Sequence, residues 1–148
     1  MLTKNNDIRL IDFGFATQRH SANTAKYVGD PNYTAPEVFE GRTTTASDMW
    51  SLGVVLYQMI SGHLPFKQKT KALTIKDIMA NEWHWRSPEF DNISKYCKDL
   101  IKKLLQKNPK QRITAEKAMN HKWFRYLLAD DYQKVDENVL GRLTTFKG

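Results

Sequence analysis

Ser47-Asp48-Met49-Trp50-Ser51-Leu52-Gly53-Val54-Val55-Leu56-Tyr57-Gln58-Met59-Ile60-Ser61-Gly62 is the stretch that decides the fold. Read as a helix, it places Trp50, Leu52, Val54, Val55, Leu56, Tyr57, Met59 and Ile60 around nearly its whole circumference. The sequence therefore predicts a helix buried on all sides. Ser47 or Asp48 begins it, because short oxygen-bearing side chains accept the first free backbone N–H groups. Ser61-Gly62 ends it, and Pro65 follows as punctuation. Gly53, Tyr57 and Gln58 interrupt the apolar run, which is far shorter than the roughly 20 residues a bilayer crossing needs. The stretch reads as the core helix of a soluble domain.

Helical signals continue toward the C-terminus. Leu73 to Met79 forms one helix, and Ser94 to Gln106 another, with Tyr96, Cys97, Leu100, Ile101, Leu104 and Leu105 at amphipathic spacing before Asn108-Pro109 stops it. Thr114 caps a further short helix, Glu116 lies near its positive end, and Trp123-Phe124 closes the apolar pattern. Toward the N-terminus, Phe15 to Thr45 is rich in Thr, Asn, Gly, Pro and Asp and lacks periodicity, apart from a helical turn at Pro36-Glu37-Val38-Phe39. A long irregular segment inside a compact domain is usually functional. Ile8-Arg9-Leu10-Ile11 reads as a short strand that turns at Asp12-Phe13-Gly14. The fold class is mainly α.

The 148 residues suit one domain, and 41% hydrophobic with 26% charged residues is ordinary globular usage. Cys97 is the only cysteine, which rules out an internal disulfide and a thiolate metal cluster and fits a reducing, cytoplasmic setting. His20, His63, His84 and His121 have no carboxylate or cysteine at metal-ligand spacing and are read as structural or surface residues. The start lacks the pattern of a secretory signal. The net charge of +7 would attract polyanions. Its lysines are dispersed, however, with Lys67, Lys69 and Lys71 in one cluster and Lys102, Lys103, Lys107, Lys110 and Arg112 in another. No finger, zipper or aromatic RNA-binding motif accompanies them, so neither a nucleic acid nor a membrane is expected as a partner.

Taken in order, these segments resemble the C-terminal lobe of a eukaryotic-type serine/threonine protein kinase. Asp12-Phe13-Gly14 resembles the family's D-F-G, Thr34-Ala35-Pro36-Glu37 contains its A-P-E, and Ser47 to Gly53 is similar to its helix F. The resemblance implies a partial kinase domain over residues 1–124, holding the activation segment and helices F to I. Residues 125–148 form an extension, and the N-terminal lobe and catalytic loop are absent. It gives Asp12 the role of metal ligand, with Phe13 and Gly14 beside it at the ATP site. Residues Asp12 to Glu37 become the activation segment, in which Gly29, Asp30, Tyr33, Thr34, Pro36 and Glu37 belong to the platform for a peptide carrying Ser or Thr. It pairs Glu37 with Arg112 as an anchor, against the plainer reading of two surface charges, and gives Asp48 a role in holding the catalytic loop, against that of a simple helix cap.

A working kinase also needs a glycine-rich loop, a strand lysine and an H-R-D loop. None is found here, so no catalytic base is assigned. ATP and Mg2+ are expected in a complete parent and not as tight ligands of this piece. Asp30 stands where such kinases usually carry threonine, and a second carboxylate beside a catalytic aspartate would perturb both. This leaves two functions open: a fragment of an active kinase, or a pseudokinase-like module that binds protein without turnover. Ser61-Gly62-His63-Leu64-Pro65-Phe66 and Asp99 to Leu105 are similar to the calcium/calmodulin-regulated and calcium-dependent group. Asn138 to Phe146 is similar to the junction segment that follows the kinase domain in calcium-dependent protein kinases, which implies a segment that lies in the substrate groove or is captured by calmodulin or a calmodulin-like domain, against the plainer reading of a helix packing on its own lobe.

Overall fold

The computed structural model describes residues 8–14, 16, 29–85 and 88–129. Within them the chain forms α1 (Pro36–Phe39), α2 (Thr45–Ser61), α3 (Lys71–Ala80), α4 (Lys95–Leu104), α5 (Ala115–Met119) and α6 (Lys122–Ala129), with 3-10 turns at Pro31–Tyr33 and Pro88–Phe90. The mainly α reading agrees with this. The expected N-terminal strand is corrected: Ile8 makes a single bridge, and residues 9–13 are irregular. An isolated strand has nowhere to send its backbone hydrogen bonds, and the described residues supply no partner strand.

α2 is the hub against which α4 and both 3-10 turns pack, while α6 lies on α4. Trp50, Val54, Tyr57, Phe66, Ile78, Phe90, Cys97, Ile101 and Leu105 make the main core. Trp50 stacks on Phe66 at 5.4 Å, and Tyr57 meets Phe90 at 4.8 Å between ring centroids. Each such side chain contributes about 1.5–3 kcal/mol by leaving water. A smaller cluster of Met49, Leu100, Leu104 and Ala118 lies beside it. Gly53 permits the close approach of α2 and α4, since a Cβ there would stand 2.8 Å from Leu104 Cβ.

The helix start predicted at Ser47 or Asp48 moves back to Thr45, with Thr44 as the cap. Ser47 is the third helical residue, and its hydroxyl accepts the Thr44 N–H at 3.1 Å. An oxygen-bearing residue three places in reaches back to the cap, so the sequence signal for a start falls one turn late. Gly62 ends α2 in the left-handed conformation, φ 74°.

Burial of α2 on all sides is also corrected. Leu52 is half exposed, and Val55, Leu56 and Met59 are only partly covered. These residues line an apolar groove with Leu104 and Met119. Among the described residues no helix is long and apolar enough to cross a membrane.

Candidate functional site

The segment from Gly29 to Glu37 is irregular by composition and fixed by side chains. Asp30 caps the Pro31–Tyr33 turn, its Oδ1 accepting the Asn32 backbone N–H at 2.9 Å and the Asn32 side-chain amide at 2.7 Å. Thr34 returns its hydroxyl to the Asp30 carbonyl at 2.9 Å. Pro31 and Pro36 lock the backbone on either side of the turn and are both buried. Two bonds then tie this segment to α2: Tyr33 donates its hydroxyl to Gln58 Oε1 at 2.7 Å, and Ser51 Oγ donates to the Tyr33 carbonyl at 2.8 Å. Burial raises the Tyr33 pKa, the hydrogen bond to Gln58 works against it, and the negative charge of Asp30 adds to it. Ser51 and Gln58 were invisible as site residues in the sequence, because each is an ordinary polar position in an apolar helix.

Glu37 and Arg112, far apart in the chain, meet in the interior. Arg112 Nη1 lies 2.7 Å from Glu37 Oε1 and Nη2 lies 2.9 Å from Oε2, with the two side chains 0% and 2% exposed. Ser47 donates a further bond to Glu37 Oε1 at 2.9 Å. Burial acts most strongly on Glu37 and opposes its charge. The hydrogen bonds and charge of Arg112, with the hydroxyl of Ser47, outweigh it, and the carboxyl stays below its usual range. Arg112 also sits 5.1 Å from the Trp50 ring.

Asp48 is not the helix cap. It is exposed on the first turn of α2 and makes no hydrogen bond or ion pair among the described residues. Partial burial of its carboxylate raises its pKa. Asp12 adopts φ 60°, so the left-handed residue of the Asp12-Phe13-Gly14 turn is the aspartate and not the glycine. Its Oδ1 accepts the Gly14 N–H at 3.2 Å, and Phe13 is 69% exposed. Among the described residues, no three His, Cys, Asp or Glu side chains gather closely enough to hold a metal ion. Asp12 offers one carboxylate, and the described residues do not complete a magnesium site. His20 and the Asn138 to Phe146 segment lie outside the described residues.

Comparison with known proteins places these features in a family. The protein kinase domain matches residues 1–124. The chain is 34% identical to calcium-dependent protein kinase 25 of Arabidopsis thaliana over 140 residues, covering 94% of this chain and 27% of that one. It is 36% identical to the phosphorylase b kinase gamma catalytic chain, liver/testis isoform, of Mus musculus, covering 84% and 32%. Among solved structures it is similar to the twitchin kinase region from C. elegans, with a TM-score of 0.60 at 36% identity over 62% of this chain and 17% of that one. The chain thus spans about a third or less of the length of these curated relatives. The match takes in the Asp12 turn, α1 to α5 and the start of α6, and the chain belongs to the protein kinase domain family.

Proposed function

We propose that this chain is the C-terminal-lobe portion of a serine/threonine kinase of the calcium-dependent group, and that it does not phosphorylate protein by itself. The observation that carries this reading is the buried Arg112–Glu37 pair, which fastens the end of the Gly29 to Glu37 segment beneath a hub helix that also grips Tyr33. Such a segment, held along its length by side-chain hydrogen bonds and exposed at Gly29 and Asp30, suits an extended peptide. On this reading Asp12 to Glu37 is the activation segment. Gly29, Asp30, Tyr33, Thr34 and Pro36 shape the peptide platform, Glu37 and Arg112 anchor it, and Asp48 holds the catalytic loop. The half-open apolar flank of α2 supports membership in a larger unit.

Asp12, with Phe13 and Gly14, would belong to the ATP site of the complete parent. Mg2+ there neutralises charge on the transferred phosphoryl group. The residues of this chain would orient the peptide and contribute one carboxylate. Residues 125–148 would form a regulatory segment for calmodulin or a calmodulin-like domain, in a cytoplasmic protein.

A second reading, a non-catalytic protein-binding module, is favoured by Asp30, whose exposed carboxylate adds negative charge to the platform. The test is ATP/Mg2+-dependent phosphorylation of a basic serine peptide by this chain, by an N-terminally extended form, and by that form with Asp12→Ala. Activity confined to the extended wild type supports the kinase-fragment reading. Activity of this chain alone overturns it, and a folded but silent extended form favours the binding module.

A further inference from the structure

Lys103 Nζ and His121 Nε2 both reach Asp99 Oδ2, at 2.6 and 2.9 Å, on the side of α4 away from α2. His121 is buried, and its Nδ1 accepts the Trp123 N–H at 3.2 Å, so Nε2 carries the proton donated to Asp99. The Lys103 hydrogen bond, more than that of His121, holds the Asp99 carboxyl below its usual range. This triad forms one wall of an open cleft of about 700 Å3, bounded by the Lys95, Asp99 and Lys103 face of α4, the 110–114 turn, α5 and the start of α6.

Five lysines line the cleft: Lys95, Lys103, Lys110, Lys117 and Lys122. Asp99 answers only Lys103. Arg112, also at the wall, is neutralised by Glu37. Lys110, Lys117 and Lys122 have no carboxylate partner among the described residues, and Lys95 lies 5.4 Å from the Tyr96 ring. Like charges in one concavity reinforce each other's field, which a compact multivalent anion would relieve. The lysines come from separate turns of chain and converge, whereas the Lys67, Lys69 and Lys71 run lies elsewhere on the surface.

We propose that this cleft binds a compact anion bearing more than one phosphate group, either soluble or as a lipid headgroup. The proposal is independent of the kinase reading, since it rests on binding alone.

The test is a titration of the full chain at about physiological salt, where exposed charges are screened beyond roughly 8 Å. Inorganic triphosphate serves in one arm, and phosphatidylcholine vesicles containing phosphatidylinositol bisphosphate serve in the other. Lys110→Glu/Lys117→Glu/Lys122→Glu is compared with Lys67→Glu/Lys69→Glu/Lys71→Glu, which makes the same change in net charge. A Lys→Gln version of the first guards against misfolding. Binding at least about tenfold weaker in the cleft variants, and within about twofold of wild type in the other, is expected. The arm showing that contrast identifies a soluble or a lipid source. The proposal is overturned if neither probe binds wild type below about 1 mM, or if both charge reversals weaken binding equally.

Discussion

Arg112 directs all five of its N–H donors at fixed acceptors: both oxygens of Glu37 and the carbonyls of Ala46, Gln106 and Lys107. One guanidinium thereby joins α1, the start of α2 and the turn after α4. Lysine cannot reproduce this, because an ammonium has three donors and no planar fork. Glu37→Gln leaves a buried charge without its counter-ion and is expected to lower stability by about 3–5 kcal/mol, with Arg112→Lys also destabilising. Urea unfolding followed by circular dichroism measures both. A midpoint within error of wild type for Glu37→Gln would show that the pair contributes nothing net.

The same pair sets an acid limit. The Glu37 carboxyl lies lower in the folded chain than in the unfolded one. Its stabilisation is therefore complete above the unfolded value, near pH 4.5, and is lost as pH falls through the folded value. Unfolding free energy should decline below about pH 4.5 in wild type and less steeply in Glu37→Gln. Parallel pH profiles for the two proteins would remove Glu37 from the acid response.

Tyr33 and Gln58 connect the platform to α2 through one hydrogen bond of 2.7 Å. Tyr33→Phe and Gln58→Ala should each destabilise, and the double variant should cost less than their sum by about 1 kcal/mol. Strict additivity would mean that the contact carries no coupling. The singles should also speed proteolysis between Gly29 and Tyr33, because the turn loses its hold on the helix.

Gly53 is a packing position rather than a hinge. Leu104 Cβ and Leu105 Cδ2 would lie 2.8 and 3.0 Å from an added Cβ, and the first cannot swing away because it is fixed to the α4 backbone. Gly53→Ala should therefore destabilise by about 1–3 kcal/mol despite the better helix propensity of alanine. A gain in thermal midpoint would mean that α4 yields by a few tenths of an ångström.

Much of this arrangement was legible in the sequence. Thr114 caps α5 and Gly62 ends α2 as expected, and Ser94, read as the first residue of its helix, is the cap of α4, because caps are local chemistry. α3 runs longer than the Leu73 to Met79 pattern, since Thr70 and Asn81, its actual caps, lie beyond the apolar positions. The meeting of Glu37 with Arg112 is a tertiary contact that no local pattern encodes. It was reachable only through family resemblance. Ser51, Gln58 and the meeting of His121 with Asp99 gave no signal, because their partners lie on other elements.

Asp48 separates the chain's own stability from the proposed role. Burial of its carboxylate raises its pKa, and no ion pair or hydrogen bond among the described residues compensates. An acid raised in this way favours folding when protonated, and that contribution is lost as pH rises through its folded value. Asp48→Asn should thus stabilise this chain slightly at pH 7, by less than about 0.5 kcal/mol because the group is largely exposed, and should match wild type near pH 3. In an N-terminally extended form the sign should reverse if Asp48 accepts backbone hydrogen bonds from a catalytic loop, since the amide is a weaker acceptor than the carboxylate. Thermal midpoints of both forms at the two pH values measure this. Stabilisation in the extended form as well would leave Asp48 an uncompensated charge in either setting and would sink its assignment as the loop's anchor.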